Sequence, residues 1–256
     1  MKRLAPKCLA LILAAATFLA PPALATELTE MTAEERAAFR AEVRAYLLDN
    51  PEVLMEAIDV LERRQAAAAV ANDSELIANN ADELFNDGYS HVAGNPDGDV
   101  TMVEFVDYRC SYCRKAFPEL KALIETDGNI RVIFKEFPIL GEASTLSSQF
   151  AISTQLVAGQ AAYGPMHDAL MTLRGNPSEA VLVEMANDQG LDGEAIWNGM
   201  SDPRVAEIIR NNHLLGQRMQ ISGTPTFVVE DQMLRGYVPL DGMMQIVAEL
   251  RAAKEG

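Results

Sequence analysis

Two cysteines separated by two residues, at the end of an apolar run, constrain this chain more than any other feature. They lie in VEFVDYRCSYC, residues 103–113. The run from Val100 to Val106 reads as a buried strand, and the pattern from Cys113 to about Ile124 reads as a helix that Pro118 should kink. A cysteine pair at a strand-to-helix turn is open to three readings: a metal clip, a structural disulfide or a working redox pair.

Zinc requires four ligands, usually two such pairs or one pair with histidines. The only histidines are His91, His167 and His213, none at ligand spacing. Each reads as a surface or core residue, which leaves only a zinc shared between two subunits. A disulfide across two intervening residues closes too small a loop to gain much chain-entropy stabilisation. The redox reading has a mechanism. At the first turn of a helix, Cys110 meets the positive end of the helix dipole, which favours thiolate over thiol. Arg109 and Arg114 add positive charge in an otherwise acidic chain.

The N-terminus bears on the same question. Lys2, Arg3 and Lys7 precede an apolar stretch, Leu9 to Ala20, and Ala23-Leu24-Ala25 supplies a small-residue cleavage site. This pattern predicts a secretory signal peptide over residues 1–25, cut after Ala25, and a periplasmic location. The apolar stretch is short for the alternative, a membrane anchor. Cleavage removes Cys8 and leaves Cys110 and Cys113 as the only cysteines. It also takes the formal charge from −16 to −19. A chain that acidic will not bind nucleic acid by neutralising phosphates.

Helical signals follow. Thr32 and Glu35 match a capping box, and Phe39, Val43 and Leu47 recur at helical spacing. Asn50-Pro51 ends that helix and opens another, along which Leu54, Ile58 and Leu61 extend an apolar stripe. The stripe must pack on the main domain or on copies of itself. Asn72 to Asn86 is polar and reads as a spacer with a short helix around Leu76. Residues 26–86 are thus expected to form a helical oligomerisation segment and linker, and residues 87–256 the main domain.

Within that domain, Asn95 to Asp99 signals a turn before the strand at Val100. Ile130 to Phe137 alternates as a second strand. A helical section spans about 142–216, with Leu146, Phe150 and Val157 as one stripe, Leu182, Met185 and Ala186 as another, and Asp202-Pro203 opening a third helix. Thr226–Val229 and Met233–Tyr237 read as a hairpin, and Leu240 to Ala253 as a last helix. The order is strand, helix, strand, helical insertion, hairpin, helix.

With CSYC at 110–113 and SGTPTF at 222–227, the chain resembles the DsbA family of thiol–disulfide oxidoreductases over roughly Gly94 to Ala253. The resemblance implies an α/β thioredoxin fold with a helical insertion, here with an N-terminal helical extension. It implies Cys110 as the exposed nucleophile, Cys113 as the buried resolving thiol and Pro225 as a cis-proline beside them. Thr224 would then offer its backbone to an extended client segment, and Ser111 and Tyr112 would face the client. Glu104, six residues before Cys110, matches the family's buried acid that relays protons for the buried cysteine; otherwise it is a glutamate on an exposed strand face. Asp107, Tyr108, Lys135 and Glu136 fall where they could shape the rim.

Ser111-Tyr112 departs from the Pro-His pair of strongly oxidising DsbA proteins. Thr224 is similar to the residue before the cis-proline in the DsbC and DsbG isomerases. Signal peptide, helical extension and catalytic domain together resemble the ScsC-like branch, which implies an isomerase or reductase that assembles as a dimer or trimer through its N-terminal helices. The expected partners are disulfide-containing exported proteins and a membrane redox partner, with no metal and no cofactor. A monomeric dithiol oxidase and a chaperone-like client-binding protein are the alternatives.

Overall fold

The computed structural model describes residues 31–255. The expected signal peptide and its cleavage site lie outside them. By its internal contacts the chain divides into two units, residues 1–61 and 62–256.

The first unit holds helix α1 (Ala33–Asp49) and the start of α2 (Glu52–Asn79). The capping box forms as expected: Glu35 N–H donates to Thr32 Oγ1 at 3.2 Å, and Thr32 N–H to Glu35 Oε2 at 2.8 Å. Asn50 closes α1, its N–H on the Tyr46 carbonyl at 2.8 Å. No residue of α1 is buried. Phe39, Val43 and Leu54 are about half exposed, and with Leu47 and Leu48 they line a shallow apolar groove.

In the second unit α2 continues to Asn79, and a short helix, α3 (Ala81–Phe85), follows. The polar stretch from Asn72 to Asn86 is therefore ordered as helix rather than as a free spacer. Its few apolar residues point inward: Ile77 and Leu84 are buried under the sheet. Its polar residues are tied down. Arg235 bonds Asp73 at 2.5–2.8 Å, Arg218 Nε bonds Asn80 at 2.8 Å, and Lys135 Nζ bonds the Glu83 carbonyl at 2.6 Å.

The sheet has five strands: β1 (His91–Gly94), β2 (Val100–Val106), β3 (Ile130–Glu136), β4 (Thr226–Val229) and β5 (Gln232–Arg235), in the order β1-β3-β2-β4-β5. β2 and β3 are parallel, and the other neighbours are antiparallel. Both faces of β2 and β3 are covered, which explains their near-continuous apolar runs. Met102, Val106, Val132 and Phe134 face one core, and Val103, Phe105 and Ile133 the other. Edge strand β1 escaped the sequence reading. Gly94 holds φ +73° there, and a Cβ would lie 2.3 Å from the Ile130 carbonyl oxygen, so only glycine fits.

Helix α4 (Ser111–Asp127) connects β2 to β3, running unbroken through Pro118 and ending on Gly128 at φ +70°. Five helices separate β3 from β4: α5 (Glu142–Ala158), α6 (Gln160–Thr172), α7 (Glu179–Asp188), α8 (Gly193–Gly199) and α9 (Pro203–Arg218). This is the expected insertion. Phe150 of the first stripe is buried, whereas Val157 is exposed. Helix α10 (Leu240–Glu255) closes the fold against α4 and β2. No helix among the described residues is long and apolar enough to cross a membrane.

Candidate active site

β2 ends at Val106, and four residues, the last of them Cys110, carry the chain to α4. Asp107 shapes this turn. Its buried carboxylate accepts from the amides of Arg109 at 2.7 Å, Ile139 at 2.8 Å and Leu140 at 3.1 Å. One side chain thus joins the cysteine turn to the loop after β3. Cys110 is the N-cap of α4, its own amide on the Asp107 carbonyl at 3.1 Å. Cys113 lies one turn further and is fully buried. Both sulfurs are free thiols. Cys110 is the more accessible, yet only 8% exposed. The surface around it is made by the exposed Ser111 and Tyr112.

The cis-proline loop meets this turn. The Thr224–Pro225 peptide bond is cis, and Cys110 Sγ donates to the Thr224 carbonyl oxygen at 3.1 Å. Thr224 Oγ1 is buried without a conventional partner. The four expected contact positions therefore lie on the first turn of α4, residues 111 and 112, and on the cis-proline loop, residues 224 and 225, which converge at the Cys110 sulfur.

The two thiols are driven apart in acidity. Hydrogen bonding from the Cys113 thiol lowers Cys110 to about 5 against the opposing effect of burial, helped by Thr224 and the first-turn amides. Cys113 is pushed up by its bond to Cys110, by burial and by Glu104. The arginines, invoked from sequence, are not among the main causes. Arg114 Nε is held on the Tyr108 carbonyl at 2.7 Å and Arg109 Nη1 on the Gly175 carbonyl at 2.8 Å. The chemistry available is nucleophilic attack on a disulfide by Cys110, followed by resolution through Cys113.

Glu104 stands between Met102 and Val106 on the face toward α4, 2% exposed, with Oε1 unpartnered. The exposed-face reading is excluded. Burial, with the nearby Cys110 and Glu136, pushes it up to about 8. Of the rim candidates, none reaches the surface: Asp107, Tyr108, Lys135 and Glu136 are all buried. Lys135 points to the opposite face, paired with Asp87. Glu136 shares the face of Glu104 and accepts from Tyr108 at 2.7 Å and Tyr163 at 2.5 Å. His167, read as surface or core, is buried with Nδ1 3.0 Å from the Tyr108 hydroxyl. No signal in sequence joins positions 108, 136, 163 and 167; only the fold does. Among the described residues, no three His, Cys, Asp or Glu side chains gather as metal ligands.

Fold and site together define a class: thioredoxin-fold thiol–disulfide oxidoreductases. Residues 101–248 match the DsbA-like thioredoxin domain model, and the chain belongs to that family. Residues 35–68 match the N-terminal domain of the copper resistance protein ScsC. A thioredoxin-like oxidoreductase from Silicibacter pomeroyi DSS-3 is 39% identical, with TM-score 0.63 over 67% of this chain and 97% of that one. A linker-deleted variant of Proteus mirabilis ScsC is 28% identical, with TM-score 0.64 over 89% of this chain and all of that one. Among curated proteins, a Na(+)/H(+) antiporter NhaA of Salinispora tropica is 28% identical over 170 residues, 65% of this chain. The chain spans about a quarter of that relative's length, 26%.

Proposed function

We propose that this chain is an exported, periplasmic oxidoreductase that rearranges or reduces disulfides in exported proteins, acting as isomerase or reductase rather than as dithiol oxidase. The observation that carries this reading is the Cys110 sulfur on the Thr224 carbonyl, between a resolving thiol and a cis-proline loop. A client segment laid along that loop would place its disulfide at the nucleophile. Cys110 is held well below an ordinary thiol, at about 5, mainly by hydrogen bonding from Cys113, as a nucleophilic thiolate at neutral pH requires. Cys110 acts as nucleophile, Cys113 as resolving thiol and Glu104 as the acceptor of the Cys113 proton. Thr224, Pro225, Ser111 and Tyr112 form the client-binding rim, and a membrane redox partner resets the pair.

Isomerisation gains from several sites held around one client. The exposed Phe39, Val43, Leu54, Ile58 and Leu61 of the N-terminal unit supply an apolar face for self-association as a dimer or trimer. The match of residues 35–68 to an ScsC N-terminal domain supports the same assignment. The test is refolding of a scrambled disulfide protein beside oxidation of a reduced one. Recovery of the scrambled substrate without net oxidation is expected. Oxidation alone would reassign the chain as a dithiol oxidase, and client refolding by a variant lacking both thiols would make it a chaperone.

A further inference from the structure

Two carboxylates lie on one face of the sheet under α4. Glu104 pairs across β2 and β3 with Phe134, and Val106 with Glu136, so the acids are diagonal neighbours. Such positions are roughly 7–8 Å apart, within reach of two long side chains or of one bridging water. Each acid keeps a buried oxygen without a hydrogen-bond partner, Glu104 Oε1 and Glu136 Oε2, and the buried Ser148 hydroxyl lies near Glu136, where it opposes the upward push of burial on that acid. Buried polar groups of this kind call for a shared partner.

Beyond Glu136 the polar chain continues outward. Its Oε1 accepts from Tyr108 and Tyr163. The Tyr108 hydroxyl meets His167 Nδ1 at 3.0 Å. His167 lines a cavity of about 370 Å³ between α4, α6 and the β1 edge, walled by Phe117, Leu120, Ile124 and Phe134. The Lys121–Asp168 ion pair at the cavity rim is 2.5 Å long and about half exposed, so the cavity opens to water.

We propose that Glu136, Tyr108 and His167 form the outer half of a proton route that links Glu104 to this cavity. This rests on the exchange chemistry proposed above. During resolution, Cys113 gives its proton to Glu104, and its thiolate attacks the Cys110 sulfur. The Cys110–Cys113 bond forms, and the Cys110–client bond breaks. The client sulfur leaves with the electron pair, so the dithiol is oxidised by two electrons and the client reduced. Buried Glu104 rests as the neutral acid, so it must lose its own proton before it can accept the one on Cys113, and this loss precedes each attack. The proton passes to Glu136. Once protonated, Glu136 no longer accepts from Tyr108; the Tyr108 hydroxyl turns to His167 Nδ1, takes the Glu136 proton on its oxygen as its own proton passes to Nδ1, and the Nε2 proton leaves to cavity water. Burial lowers His167 to about 3, so the imidazole changes tautomer without storing charge.

The groups facing this path are Asp107 and Tyr108 from the turn, Cys110 and Cys113 from α4, Ser148 from α5, Tyr163 and His167 from α6, and His91 from β1. None of Glu136, Tyr108 and His167 touches a reacting sulfur. They act through Glu104 and are positioning residues.

The test is stopped-flow exchange between the reduced full-length protein and a fluorescent peptide disulfide, in which the slow phase is attack by Cys113. Glu136→Gln, Tyr108→Phe and His167→Ala should each slow that phase by about 10-fold, less than loss of an acid–base group in direct contact. Added imidazole, entering the cavity, should restore His167→Ala and leave Tyr108→Phe slow. Rates within about twofold of wild type in all three, while Glu104→Gln is slow, would overturn the outer route and leave the exchange reading intact. Equal rescue of Tyr108→Phe would overturn it too. If His167→Ala does not fold, the near-isosteric Glu136→Gln and Tyr108→Phe decide. A wild type with no exchange at all would sink both readings.

Discussion

The Cys110 thiol and the Thr224 carbonyl oxygen are 3.1 Å apart, joined across 114 residues of sequence. The contact orients the nucleophile along the cis-proline loop, and the Thr224 side chain contributes to the lowered Cys110 value. Thr224→Val removes one hydroxyl at nearly constant shape. That hydroxyl has no partner while Cys110 is a thiol and can donate to the sulfur once it is a thiolate; a hydrogen bond to a charged group is worth about 1.5–3 kcal/mol and one pKa unit about 1.4 kcal/mol, so the Cys110 midpoint should rise by roughly one unit. Thiolate ultraviolet absorbance against pH reads it. Isomerase activity should fall more than oxidase activity, and an unmoved midpoint would remove Thr224 from the site.

Cys113 is the largest cause of the lowered Cys110 value. Cys113→Ala should therefore raise the Cys110 midpoint. It should also accumulate mixed disulfides with clients, since resolution needs the second thiol. Cys110→Ala should accumulate none. Alkylation mapping with Cys113 as the faster thiol would reverse the two roles.

Glu104 and Glu136 are pushed up to about 8 and about 7, in both cases mainly by burial. An unfolded glutamate titrates near ~4.3, so between about pH 4.5 and 8 the folded protein holds more protons than the unfolded chain. Stability of the reduced protein should then fall as pH rises through that window. Glu104→Gln should flatten the fall and raise the urea midpoint at pH 8. A wild-type midpoint independent of pH would contradict the burial of charge at this position.

Asp107 satisfies three amides of two separate loops with one carboxylate. Asp107→Ala leaves those donors buried, and the loss should be about 3 kcal/mol or more. Thermal melting measures it, with Cys110 reactivity as the second readout. A loss confined to a few tenths of a kcal/mol would show that water replaces the carboxylate at no cost.

The apolar face of the N-terminal unit gives a test of assembly. Val43→Asp and Ile58→Asp place charge at positions 41% and 46% exposed in the isolated chain. Neither should disturb the fold, and together they should convert an oligomer to a monomer by light scattering. A wild type already monomeric would remove the oligomer and much of the case for isomerase over oxidase.

Strands β2 to β5, the cysteine turn and the helices of the insertion were legible because each has a local signature, such as Val100–Val106, CSYC and the capped helix starts; the cis-proline was legible only through the family resemblance that SGTPTF carries. The capping box at Thr32 and the Asp202-Pro203 helix start were legible for the same reason. Strand β1 was not. His91–Gly94 is only four residues long, has no clear alternation and is fixed by pairing with β3. The Asn72–Asn86 segment looked like a spacer because its composition is polar. Its order comes from Arg218, Arg235 and Lys135, which reach it from distant parts of the sequence. The arginines flanking the cysteines were the opposite case: near in sequence, but held on backbone carbonyls.

Strands β3 and β4 flank the helical insertion in sequence yet do not touch, because β2 lies between them in the sheet. The two sulfurs, Glu104 and the Thr224–Pro225 loop all sit outside the inserted segment. Tyr163 and His167 sit inside it. The nucleophile and its cis-proline partner are thus carried by one part of the chain, and the groups around the buried acid Glu136 by another, so a change confined to the inserted segment alters the surroundings of that acid and leaves the sulfurs where they are.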